Sequence, residues 1–298
     1  MNDSNMSDEY NQLIEKGDTL YEEEKYAEAI AIYEQAKTLN PQEPEAYLAL
    51  ADSYLELERF DETMNLCKRL LEISPNNSEA FHIIGNVFFE KKDYEKALTY
   101  FQKALENAPE SLDTMYNIGM IYRNQKKNKQ ALEYFQKGEK IDGEDVEFLI
   151  MISDILEELG RISEAIEYYY KIVEINPDAF AIWIRLAELH YGKDEFREAK
   201  VCLEEVLRIE PTDYLSLNNM GVVLLKLGQV DEAIKYINKS IEIFPELGNT
   251  WHSLADAYAQ KGELEKALEY YEKAVDLDPN DKELRESLEA AKEELGIK

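Results

Sequence analysis

The residues best suited to chemistry are few. The 298-residue chain has three histidines (His82, His190, His252), two cysteines (Cys67, Cys202) and many carboxylates, 63 acids against 33 bases. Catalysis or metal binding needs such groups to converge. His82 and His252 stand 170 residues apart, too far for a local metal-binding pair. No Gly-x-Ser-x-Gly, His-Glu-x-x-His or Cys-x-x-Cys occurs. GEKIDG (138–143) has the spacing that opens a phosphate loop, but Glu144 and Asp145 follow where lysine and a hydroxyl residue should stand. Two carboxylates there would repel phosphate. No catalytic, cofactor-binding or metal-binding residue is therefore expected, and the chain reads as no enzyme.

Charge narrows the partners. A net charge of −30 opposes binding to nucleic acid, which rests on lysine and arginine displacing counterions, and favours basic partners. No apolar run of about 18 residues is present, so no membrane span is expected. MNDSNMSDEY lacks the basic and apolar regions of a secretory signal. Both cysteines lie in apolar helical surroundings, where a buried free thiol is usual. A cytoplasmic setting is expected.

The elements that must position any site follow a ruler. Pro41, Pro75 and Pro109 are 34 residues apart, as are Pro177, Pro211, Pro245 and Pro279; Gly143 marks the missing beat. Twelve residues before each mark stand Ala29, Thr63, Ala97, Ala131, Ala165, Ala199, Ala233 and Ala267. Twenty-four before each mark the residue is always Gly, Ala or Ser, small enough for two helix backbones to approach closely. Within each unit two stretches show apolar spacing of three and four, the helical period, and proline stops the second helix.

This pattern resembles the tetratricopeptide repeat. The best single match is residues 248–281, with Trp251, Leu254, Ala255, Tyr258, Ala267, Tyr271, Ala274 and Pro279. The resemblance implies an all-α fold, a right-handed α-solenoid (superhelix) of helix-turn-helix repeats. Eight repeats would span 10–281 as one array: 10–43, 44–77, 78–111, 112–145, 146–179, 180–213, 214–247 and 248–281. Residues 1–9 would be a flexible lead-in. Residues 282–298 would form a capping helix, with Leu284, Leu288, Ala291 and Leu295 inward and Arg285, Glu289 and Lys292 where a ninth repeat would dock, so the array is expected to end there.

The resemblance also implies a non-catalytic scaffold for protein-protein interaction, whose first helices line a concave peptide-binding groove. Six columns per first helix would face it, beginning with Asn11, Ile14, Glu15, Asp18, Tyr21 and Glu22. Those 48 positions hold 15 acids but only three bases, Arg123, Arg185 and Lys226. Neither a cationic grip on a partner's C-terminal carboxylate nor an asparagine ladder fits, because Glu147 and Met151 interrupt the first and Asn117 and Asn219 are isolated in the second. A cluster of aromatic and polar groups fits better. Phe89, Tyr116 and Tyr191 would project beside Asn86, Asn117, Asp154 and Glu188, with Arg123, Glu158, Arg185 and Asn219 completing the candidate site. Such a groove would take a basic, partly apolar peptide. Homo-oligomerisation through repeat surfaces is the alternative.

The fourth repeat departs from the rest. Asn128 replaces an apolar residue, Gly138 occupies a small-residue helical column, and Gly143 replaces proline. Its second helix is expected to be the softest internal segment, and KKNK (126–129) to be a solvated turn.

Overall fold

The structure, a computed structural model, describes residues 3–297, with side chains from Met6 onward, and these residues form helices and turns without a strand. Two compact units divide the chain, Met1–Gly160 and Arg161–Lys298. The first holds α1 (Asp3–Glu22), α2 (Tyr26–Leu39), α3 (Pro44–Glu56), α4 (Phe60–Ile73), α5 (Ser78–Glu90), α6 (Tyr94–Asn107), α7 (Leu112–Asn124), α8 (Asn128–Ile141) and α9 (Val146–Glu158). The second holds α10 (Ile162–Ile175), α11 (Phe180–Gly192), α12 (Phe196–Ile209), α13 (Tyr214–Lys226), α14 (Val230–Ile243), α15 (Gly248–Lys261), α16 (Leu264–Leu277) and α17 (Lys282–Glu294). Helices pack in sequential pairs, making an all-α solenoid, and the division falls in a turn inside the fifth repeat rather than between repeats. Residues 3–9, expected as a flexible lead-in, instead continue α1 toward the N-terminus; residues 1–2 lie outside the described residues.

Local chemistry sets the helix ends. Asn77, Ser111, Asp145, Asp213 and Asp281 stand 34 residues apart or a multiple of it, and each side chain accepts an amide hydrogen at the start of a first helix. Glu43 makes no such bond; there the Tyr10 hydroxyl accepts from the Ala46 N–H at 3.2 Å. First helices stop at a left-handed residue, which satisfies the last carbonyls. The column holds Glu24, Glu58, Lys92, Lys126 and Asp194, all at φ between 55° and 59°, and glycine at 160, 228, 262 and 296. Lys126 and Lys127 of KKNK therefore lie in the turn, while Asn128 and Lys129 already open α8.

The small column has a specific cause. A Cβ at Gly85 or Gly119 would fall 2.5 and 2.7 Å from the rings of Phe101 and Phe135 in the paired helix. Both rings are fully buried, so only a residue without a side chain leaves them room.

The fourth repeat is better joined than its sequence suggests. Gly138 is buried, and a Cβ there would lie 2.1 Å from the Phe148 ring. Phe148 occupies a column that holds Gln12, Ala46, Ala80, Thr114, Ile182, Ser216 and Thr250 in the other repeats. Its ring meets Tyr116 and Phe135 edge-on, at 5.8 and 6.0 Å. Glycine is thus the complement of a large neighbour, and the aromatic cluster offsets its weak helix propensity. Asn128 also has a role: its column is half-buried elsewhere, as at Tyr26 and Phe60, and its amide donates to Glu158 at 2.7 Å. Gly138 and Asn128 thus each make a contact to a neighbouring helix that the sequence does not reveal.

Candidate functional site

First-helix columns decide what each unit offers a partner. In the first repeat, the Tyr33 hydroxyl donates to Asp18 at 2.7 Å, and in the eighth the Tyr271 hydroxyl donates to Asp256. In the second repeat Cys67 stands in the tyrosine column, so the equivalent Asp52 has no phenolic donor. Asp52 is half-buried, and burial with Glu79 and Glu56 nearby pushes its carboxyl up to about 7. Asp18, Tyr21, Glu45, Leu48, Asp52 and Glu79 are among the residues lining an open cavity of about 580 Å3. Burial of Tyr21, with Glu56 and Asp52 nearby, raises its phenol strongly. Among the described residues, no lysine or arginine lines this cavity. An uncompensated acidic hollow with an aromatic and an aliphatic wall is suited to a cation with an apolar stem.

The candidate residues of the first unit do not converge on one site. Asn117 donates to Asn86 at 2.9 Å, linking α7 to α5. Phe89 packs against Tyr94 at 5.9 Å, and Tyr116 lies half-buried in the ring cluster with Phe135 and Phe148. Arg123 reaches Asp154 at 3.3 Å and Glu158 at 3.1 Å, and it contacts the Met151 sulfur. Its charge is therefore met within the protein. Tyr116 and Arg123 join repeats, which is a structural task.

In the second unit three candidates meet. Glu188, Tyr191 and Asn219 line a partly enclosed cavity of about 300 Å3 whose floor is Ile184, Ala187, Leu203, Val222 and Val223. Leu203 holds the column of Tyr33, Phe101 and Tyr271, and the shorter side chain leaves the space. Tyr191 is 37% exposed and rests edge-on against Phe196. Arg185 pairs with Glu188 at 2.8 Å. Leu203, Val222 and Val223 were missed by sequence reasoning. Val222 was detectable, since its column otherwise holds Asp18, Asp52, Asn86, Met120, Asp154, Glu188 and Asp256.

The histidines serve packing. His190 is buried, its Nδ1 2.7 Å from Glu195 and its Nε2 3.0 Å from the Tyr170 hydroxyl, which lies 3.8 Å from the Cys202 sulfur. The set includes cysteine, histidine and glutamate, yet His190 does not touch the thiol, and burial pushes Cys202 up to about 11. A neutral buried thiol is a poor nucleophile. His82 contacts Thr114 at 2.8 Å and His252 contacts Ser287 at 2.8 Å. Among the described residues no group of His, Cys, Asp or Glu could hold a metal ion, and no helix is long and apolar enough to cross a membrane.

Three family models described as Tetratricopeptide repeat match the chain: one at 76–144 and 213–280, one at 20–85 and 156–220, and one at 116–180. No curated protein matches. Among solved structures, the C-terminal part of a TPR repeat-containing protein from Cytophaga hutchinsonii is 19% identical, with 92% of this chain and 99% of that chain covered and a TM-score of 0.58. A MamA protein is 24% identical over 57% of this chain and 93% of that chain, with a TM-score of 0.52. A MamA fragment from Desulfovibrio magneticus RS-1 is 20% identical over 57% and 97%, with a TM-score of 0.51. At these identities the likeness is one of fold. With matches running continuously from residue 20 to 280 and the predicted helix pairs in place, this chain belongs to the tetratricopeptide repeat family.

Proposed function

We propose that this protein is a non-catalytic, cytoplasmic adaptor that binds a basic, partly apolar peptide segment of a protein partner on its first-helix surface. The observation that carries the reading is Asp52. It is half-buried beside Glu56 and Glu79, its tyrosine donor is replaced by Cys67, and among the described residues no base lines its cavity. A lysine or arginine entering there relieves like-charge repulsion while its methylenes pack on Leu48 and Tyr21. Because the carboxyl titrates near 7, a cation that needs it ionised binds more tightly as pH rises from 6 to 8. The absence of a converging nucleophile and base in either unit, among the described residues, supports a non-catalytic role.

The test is fluorescence anisotropy of a labelled twelve-residue peptide of alternating lysine and leucine against the full chain. Affinity should fall about fivefold or more on Asp52→Asn, an energy on the order of 1 kcal/mol for a partly exposed pair. The wild-type protein alone should show the rise between pH 6 and 8. Equal affinity for both proteins at every pH would remove Asp52 from the reading.

A further inference from the structure

The second unit's cavity has a chemistry distinct from the first. Its floor is aliphatic, contributed by Ile184 and Ala187 of α11, Leu203 of α12, and Val222 and Val223 of α13. At about 300 Å3 it lies at the small end of ligand cavities. That size suits one inserted side chain better than a whole ligand. The space exists because Leu203 stands where Tyr33, Phe101 and Tyr271 fill the equivalent position, and it is apolar because Val222 stands where every other repeat but the fourth, with Met120, has a polar side chain.

The mouth is polarised. Glu188 lines it from α11, and its pairing with Arg185 is an exposed i,i+3 contact, a kind worth only about 0–1 kcal/mol and easily exchanged for another cation. On α13, Asn219 is exposed one turn before Val222, and Lys226 is exposed one turn after it. Residues three and four apart share a helix face. A chain crossing this mouth meets the Glu188 carboxylate at the lining, and one that runs on along α13 meets the exposed Lys226 one turn beyond Val222.

We propose that this cavity is the anchor subsite for one leucine- or methionine-sized aliphatic side chain of a partner peptide, with a basic residue of that peptide set against Glu188. The assignment rests on the peptide-binding reading above and specifies its apolar half. Charge complementarity selects the occupant. The cavity's own carboxylate, Glu188, is paired with Arg185 in an exposed contact, so a flanking lysine can exchange with it on that side. A flanking lysine on the Lys226 side is repelled, which fixes the direction of the chain. Tyr191, lying over Phe196 at the rim, supplies a rigid wall against which the anchor packs.

The experiment is methyl NMR on the full chain with labelled Ile and Val, titrated with three peptides: a lysine-leucine peptide, its leucine-to-alanine version, and its lysine-to-glutamate version. The first should shift the Ile184, Val222 and Val223 methyls, and the alanine version should bind at least tenfold more weakly at those probes. Val222→Asp should abolish the shifts while leaving the thermal transition in place, and Glu188→Gln should reduce the preference for lysine over glutamate. Unchanged methyls with the peptide still bound through Asp52 would overturn this inference and leave the adaptor reading standing. Peptides that bind nowhere would overturn both. Methyl shifts that depend on protein concentration and not on peptide would identify a second copy of the chain as the occupant and overturn the proposal.

Discussion

The two units make opposite choices at the same columns. In the first, His82, Thr114 and Ser111 form a connected trio: His82 Nδ1 lies 2.8 Å from the Thr114 hydroxyl, which lies 2.7 Å from Ser111. Four repeats later the same columns hold Asn218, Thr250 and Leu247, and among the described residues neither Asn218 Oδ1 nor Thr250 Oγ1 has a hydrogen-bond partner. The pair Gly138 and Phe148 in the first unit corresponds to Val206 and Ser216 in the second, small-against-large becoming medium-against-small. The cavities differ likewise, carboxylates around Asp52 against aliphatic groups around Val222. The difference teaches that the repeat backbone tolerates wide exchange at a column provided its partner column changes too. Where the partner has not changed, a polar atom is left orphaned.

The most severe way to break the comparison is to exchange one member of a complementary pair. Phe148→Ser, the second unit's choice alone, should cost about 3–5 kcal/mol by denaturant titration, since it empties the ring cluster. Adding Gly138→Val, itself destabilising because its Cβ meets Phe148, should restore part of the loss, with a coupling of about 1–3 kcal/mol. Strict additivity would show that the columns are not complementary. A gentler change sharpens the contrast between the trios. Asn218→His with Leu247→Ser gives the second unit the first unit's residues, providing Thr250 with partners and α15 with a cap. The expected gain is about 1–2 kcal/mol, and a net loss would show that the orphaned atoms are not what separates the units.

The smallest expected effect concerns Asp52. Its folded-state carboxyl is raised, so its ionisation opposes folding: full stability holds at low pH and is lost as pH rises through about 7. Asp52→Asn should therefore stabilise the protein by on the order of 1 kcal/mol at pH 8. The advantage should vanish at pH 4. A difference independent of pH would mean that Asp52 is not the strained group.

Much of the fold was legible because period and residue type agree across the repeats: the proline ruler, the alanine column and the small column each repeat a local physical requirement. The site was legible only in part. Glu188, Tyr191 and Asn219 were identifiable as first-helix surface residues, and the structure gathers them at one cavity. Arg123 and Glu158 were identifiable too, yet a contact 35 residues apart absorbs both charges. Such pairing depends on side-chain reach between repeats, which no single column reveals. Gly138 misled for the same reason. Its meaning lies in Phe148, in another helix, and propensity describes only its own.

The proposed role requires this protein to recognise peptides through an acidic surface with apolar anchorage. Isothermal titration of the full chain with the lysine-leucine peptide and its glutamate-leucine counterpart, at low and high salt, tests it most directly. The lysine peptide should bind more tightly at low salt, by about tenfold, and lose most of that advantage once the Debye length shortens to about 4 Å or less. A glutamate peptide that binds as well or better, or a preference indifferent to salt, would contradict it.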